Sequence, residues 1–290
     1  MKIAILSFYS GKAQRGVETW AESLKENLKD NFEISIYSDV YGSFPKWIKS
    51  DIVIPVNGRF QAFFARLATW LTGKPMIIFG HSGLGADDKW NLLCSPNIFV
   101  AFTDFQKNWA DKYKLPWTEV IKISHAVDTG KFLPAENRVK PKIVLCVVAN
   151  TPINIVDLVR GAVELLPDVK FSAVGKGNET QVSFKEMPGV YKRAGVFCYV
   201  PSPWNAFGLV FLEAMSANLT VVTSDDPIRR EIVGDAGLFV KKPEDSKELS
   251  EAINKALEIN WKDRPRKQSE KFDWKKTAPQ YAQLFKETAK

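Results

Sequence analysis

The sequence predicts an α/β protein made of two Rossmann-like β/α/β domains. Three observations lead there. Short apolar, β-branched runs alternate with helical stretches in both halves of the 290 residues. The chain opens on a strand, a loop ending in glycine and a helix, the usual first unit of such a domain. A Pro- and Lys-bearing stretch, residues 133–142, separates the halves. The expected domains are 1–134 and 135–272, facing one another across a cleft, with a last helical segment over 273–290.

In chain order, residues 2–6 (KIAIL) read as a strand, and 17–28 as a helix with Val17, Trp20, Leu24 and Leu28 on one face. Strands follow at 33–37 and 51–56. Residues 61–71 form a helix whose Phe63, Phe64, Leu67 and Trp70 read as core packing. The alternative is an exposed aromatic stripe facing a lipid acceptor. A further strand ends at His81, and the carboxyl ends of strands are where open α/β sheets bind ligands. Residues 97–102 (NIFVAF) are a strand, and 104–113 a helix capped by Thr103. The second half restarts with the strand KIVLCVVA. A helix follows over 155–166, then the strand VKFSAVGKG with its Gly175–Gly177 turn. Residues 196–200 are a short buried strand. A helix spans about 207–217, with Asn218 as a left-handed stop. Asp225 and Asp226 sit on a turn, where adjacent carboxylates cap a helix more often than they bind metal. Residues 246–257 are a helix with Leu249, Ile253 and Leu257 aligned.

An apolar content of 45% is that of a globular protein. No apolar run approaches the roughly 20 residues that span a bilayer, and MKIAILSFYSG lacks the features of a signal peptide. The expectation is a soluble, cytoplasmic chain. Cys94, Cys146 and Cys198 are far apart and odd in number, so they read as buried free thiols. The net charge is +7, and residues 261–290 hold nine Lys/Arg against four Asp/Glu. That excess suits anionic partners, either phosphates or an anionic membrane surface met peripherally, or else a solvated helical face. No nucleic-acid-binding motif is present, so nucleic acid is not an expected partner.

The chemistry concentrates in YVPSPWNAFGLVFLEAMSAN, residues 199–218. Gly208 stands at the first turn of the helix, where backbone N–H groups and the positive dipole end favour a phosphate. Glu213 lies about 7–8 Å further along the axis, within reach of a sugar beside that phosphate.

The segment PSPWNAFGLVFLEAMSANLTVVTSDDPIRREIVGDAGLFV resembles the donor-binding segment of the retaining, GT-B-fold glycosyltransferases of family 4. That family carries a Glu, seven residues and a second Glu around a Phe-Gly pair. Here the second is Glu213 and the first is replaced by Asn205. Ser202, Phe207, Gly208, Ala214, Met215, Ile228, Arg229, Glu231 and Gly237 also fit the pattern. Asp128, Lys131 and Phe132 match the lead into the second domain, where Ser124, His125 and Ala126 replace Pro, Asn and Gly; His125 reads as a hinge residue. FDWKKTAPQYAQLFKETAK is similar to the family's terminal helix, which crosses back onto the first domain, with Trp274, Tyr281, Leu284 and Phe285 as anchors.

The resemblance implies sugar transfer from a UDP- or GDP-linked donor to a hydroxyl of a glycan, lipid or small molecule. Anomeric configuration is retained, and neither cofactor nor metal is required. His81 would contact the donor sugar, Asn205 would hold it, and Glu213 would accept from the ribose hydroxyls. The donor set adds Arg15, Gly16, Asn150, Gly175, Lys176, Phe207, Gly208 and Leu209. Two departures stand out. Arg15-Gly16 replaces a Gly pair, and Asn150 stands where an Arg is expected, with the usual Lys missing nearby. Lys176, Lys192 or Arg193 on a neighbouring loop are the candidates to supply that charge instead. The alternative is a catalytically impaired nucleotide-sugar-binding or scaffold protein of the same fold.

Overall fold

The computed structural model describes residues 1–12, 16–136, 141–149, 151, 156–205 and 207–289. They pack as two units. One comprises Met1–His125, Asn205–Phe207 and Trp274–Lys290; the other comprises Ala126–Trp204 and Gly208–Asp273. The first division thus falls at His125/Ala126, short of residue 134. Local bonding explains it: Val127 N donates to Phe272 O at 2.9 Å and Val127 pairs in parallel with Asp273, so the chain joins the second unit from there.

The first unit contains β1 (Lys2–Leu6), α1 (Gly16–Leu28), β2 (Glu33–Tyr37), α2 (Phe44–Trp47), β3 (Ile52–Pro55), α3 (Arg59–Thr72), β4 (Ile77–Phe79), α4 (Ala86–Leu93), β5 (Ile98–Ala101), α5 (Asp104–Tyr113) and β6 (Glu119–Lys122). The second contains β7 (Ile143–Val147), α6 (Val156–Glu164), β8 (Lys170–Val174), α7 (Met187–Lys192), β9 (Val196–Cys198), α8 (Leu209–Ser216), β10 (Thr220–Ser224), α9 (Pro227–Val233), β11 (Gly237–Val240), α10 (Ser246–Glu258) and α11 (Arg264–Ser269). Helix α12 (Trp274–Thr288) belongs to the first unit.

In the first unit, the parallel sheets β2-β1-β3 and β4-β5-β6 are linked by a Val53–Met76 bridge. Strand alternation sends neighbouring residues to opposite faces. Ala4, Leu6, Val53, Ile78 and Phe99 meet the buried side of α3 and Ala110 of α5. On the other face, Phe79 meets Trp20 of α1 and Tyr281 of α12, at centroid distances of 4.6 and 5.8 Å. Trp274, Tyr281, Leu284 and Phe285 are all buried. Thr103 caps α5 by accepting from Gln106 N at 3.1 Å.

Helix α3 overturns its expected orientation. Its buried residues are Gln61, Ala62, Ala65, Ala68 and Thr69. Phe63, Leu67 and Trp70 are exposed at 56, 47 and 69%, and so are Phe60 at 77% and Leu71 at 71%. Phe64 alone of the expected stripe is half-buried, its ring 5.1 Å from Tyr41. Small side chains let this helix lie close on the sheet. Gln61 is needed inside because its Oε1 accepts from Asn57 N at 2.9 Å.

The second unit is a parallel sheet in the order β11-β10-β9-β7-β8. Its core joins Val144, Cys198 and Val222 to Val159 of α6 and to Leu249 and Ile253 of α10. All three cysteines are free and buried. Asp226 caps α9 through Arg229 N, and Asp225 pairs with Arg230 at 2.5 Å. Part of the basic excess after residue 261 serves the fold: Arg266 Nη1 donates to Phe132 O and Ser216 O at 2.9 and 2.8 Å. Among the described residues, no helix is long and apolar enough to cross a membrane.

Candidate functional site

The expected site residues divide between the units. Gly16, His81, Asn205 and Phe207 belong to the first; Gly175, Lys176, Gly208, Leu209 and Glu213 belong to the second. Arg15 and Asn150 lie outside the described residues.

In the first unit, Gly16 is exposed and begins α1, and the buried carboxylate of Glu18 already stands in that first turn. His81 follows β4, and its backbone N donates to Phe79 O at 2.8 Å. Its ring is 4.6 Å from Trp20 and 5.3 Å from His125. The His125 ring stacks on Phe102 at 3.6 Å, and Phe207 closes edge-on at 5.2 Å. His81 Nε2 and His125 Nδ1 are buried without a hydrogen-bond partner among the described residues. Burial pushes the pKa of His81 down to about 3. Burial and then the neighbouring His81 hold His125 well below the ordinary histidine range. Both rings are therefore neutral at physiological pH. The sequence singled out His81 but missed the aromatic box around it, which gathers residues from positions 20 to 207. Asn205 is half-buried beside this box in the chain.

In the second unit, β9 runs into residues 199–204, and that stretch is held by two hydrogen bonds. Ser224 Oγ donates to Pro201 O at 3.3 Å, and Arg229 Nη2 donates to Ser202 O at 3.0 Å. The fully buried Arg229 is matched by Asp226 at 3.3 Å. Helix α8 begins at Leu209, two residues later than expected, because Gly208 has φ +82°, a left-handed conformation that ends helical geometry. Asn218, with φ +61°, stops the helix as expected. Gly175 has φ +137°, and a Cβ there would lie 2.5 Å from Val148 O. Lys176 beside it is exposed, as are Lys192 and Arg193.

Glu213 is not an open acceptor. It is 8% exposed, and its Oε2 accepts from the Tyr191 hydroxyl at 2.7 Å. Burial raises its pKa to about 7, against the opposing hydrogen bond from Tyr191 and the charge of Lys131. Lys131 itself lies over the Phe184 ring at 3.6 Å. Tyr191 carries no signal in the sequence, since it is separated from Glu213 by 22 residues and sits on another helix. Lys131 was visible only as a matched position. Together they make a carboxylate whose charge changes near neutral pH.

Residues 179–273 match the family model described as Glycosyl transferases group 1. Tyr191, Gly208, Glu213 and Arg229 all lie within the matched residues. Over 107 residues the chain is 36% identical to O-antigen chain mannosyltransferase B of Escherichia coli; the alignment covers 35% of this chain and 28% of that protein. The matched stretch is therefore well short of two thirds of the relative. Among solved structures, Anabaena HepE in complex with UDP and glucose superposes with a TM-score of 0.82 at 15% identity, over 99% of both chains. Sucrose-phosphate synthase from Thermosynechococcus elongatus gives 0.79 at 15% identity, over 99% of this chain and 98% of that one. The fold is thus α/β of the GT-B class.

Proposed function

We propose that the chain transfers a hexosyl group from a nucleotide-diphosphate sugar to an acceptor hydroxyl, with retention of anomeric configuration. The observation that carries this reading is the group 1 domain match coinciding with the Gly208–Glu213 geometry. The left-handed Gly208 leaves the first N–H groups of α8 unobstructed by a Cβ, and their fixed dipoles suit the charge that grows on a departing diphosphate. Such stabilisation requires no metal; a chelator that abolished turnover would refute that part of the proposal. Glu213 is the proposed ribose acceptor through the capacity left after Tyr191. His81, as a neutral ring, and Asn205, as donor and acceptor in one group, are proposed contacts to the sugar. The leaving phosphate would take the acceptor proton on the same face, so no dedicated protein base is needed. UDP-glucose is the first donor to try, since HepE has been solved with it.

Incubation with UDP- and GDP-linked sugars, with and without glycan or lipid acceptors, tests the reading by nucleoside diphosphate release. Binding without release would instead support a catalytically impaired nucleotide-sugar binder. Two points favour that alternative: Asn205 stands where the resembled family carries a carboxylate, and Glu213 is already bonded within the protein.

A further inference from the structure

Helix α3 presents an outer face more apolar than its inner one. Phe60, Phe63, Leu67, Trp70 and Leu71 are between 47 and 77% exposed, while the side against the sheet is built from Ala62, Ala65 and Ala68. At 100° per residue the five large side chains fall within about 100° of arc. The helix is about 21 Å long. Beside it packs α4, which adds Leu93 at 61% exposure. A monomer surface rarely leaves so large a contiguous apolar patch uncovered.

The flanking charges indicate what covers it. From residue 52 to residue 86 the sequence has no Asp or Glu, while it has Arg59, Arg66 and Lys74. Arg59 pairs with Asp87 at 2.7 Å, but Arg66 donates to a neutral group, the amide oxygen of Asn97, at 3.0 Å. On the helical wheel, Arg59 and Arg66 border the apolar arc next to Trp70. An apolar stripe with an aromatic residue at its margin and cations along one edge has the chemistry of a helix lying in a lipid headgroup layer. A second copy of the chain is the poorer fit, because each copy carries a net charge of +7.

We propose that the outer face of α3 docks the protein onto an anionic lipid bilayer, with Phe63, Trp70 and Leu71 in the acyl boundary and Arg66 and Lys74 at the headgroups. The inference is independent of the sugar-transfer reading. It also differs from docking through the basic C-terminal segment. Helix α12 covers the opposite face of the first unit's sheet, since Phe79 packs on Tyr281 while its neighbour Ile78 packs on the α3 side. One flat bilayer cannot meet both faces.

Co-sedimentation of the full chain with phosphatidylcholine vesicles, with and without phosphatidylglycerol, tests the proposal. The wild-type protein should pellet with the mixed vesicles. A Trp70→Ser/Leu71→Ser variant should lose about tenfold or more in partitioning, with unchanged far-ultraviolet circular dichroism because both side chains are exposed. Phe63→Ser serves as a second, independent variant and should weaken binding in the same direction. Arg66→Gln should weaken binding about fivefold on mixed vesicles only. Lys275→Gln/Lys276→Gln on α12 should leave it unchanged. Three outcomes would overturn the proposal: no vesicle binding by the wild type, equal binding by the Trp70/Leu71 variant, or a wild-type dimer that this variant converts to monomer.

Discussion

The hydroxyl of Tyr191 donates to Oε2 of Glu213 across 2.7 Å, and both side chains are buried in the second unit. This bond opposes the burial that raises the carboxyl to about pKa 7. It makes the charge of Glu213 adjustable by a residue that the proposed donor need not touch.

A Tyr191→Phe variant should therefore titrate Glu213 at higher pH. The bond favours the ionised form, so removing it lets burial act with less opposition. If ionised Glu213 binds the ribose, kcat/KM of the wild type rises with pH through about 7, and the variant's midpoint moves upward. An unmoved midpoint in the pH–rate profile would remove Glu213 from that role.

Stability should report the same group. The folded carboxyl has its pKa raised from 4.5 to about 7, so between these values the folded state binds more protons than the unfolded one. Wild-type stability contributed by this group thus falls as pH rises through that window, and levels off above it. A Glu213→Gln variant keeps an acceptor for Tyr191 without the charge. Urea unfolding should show it gaining on the wild type from pH 4.5 to 7, by on the order of 3 kcal/mol at the plateau above that window.

The histidine pair acts with the opposite sign. Both rings resist protonation in the folded state, whereas unfolded histidines titrate near 6.5. Stability from this source is present above pH 6.5 and is lost as pH falls below it. A His125→Phe variant keeps an aromatic stack on Phe102 and should lose less stability than the wild type on acidification from pH 6.5, measured by denaturant midpoints. Parallel losses in both proteins would contradict this account.

Gly175 has no substitute. A Gly175→Ala side chain would meet Val148 O at 2.5 Å with φ at +137°. The expected cost is about 2–3 kcal/mol, since clash and backbone strain add. Equilibrium unfolding measures it, and a cost below about 0.5 kcal/mol would show that the loop relaxes freely.

Much of this was legible from local chemistry. Thr103 as a cap and Asn218 as a stop are legible because a hydroxyl acceptor and tolerance of a left-handed conformation are intrinsic to those residue types. The helix carrying Glu213 is legible from its run of helix-forming residues, with no glycine or proline between Gly208 and Asn218. What periodicity cannot tell is which side of a helix is turned inward. Helix α3 has two candidate faces, and the one made of Ala62, Ala65 and Ala68 won because close approach to the sheet outweighed side-chain size. The Tyr191 partner of Glu213 was illegible for a different reason: it is a tertiary contact between two helices, and neither residue type announces the other.

The assignment of α12 to the first unit has a consequence for biosynthesis. Trp20 and Phe79 lie near the start of the chain, yet Tyr281, which covers them, is made some two hundred residues later than Phe79. At ribosomal speeds of about 5–20 residues per second, that apolar surface waits on the order of 10–40 seconds for its lid. The intervening unit has all its own strands and helices in hand earlier, so the nascent chain finishes its middle before its beginning.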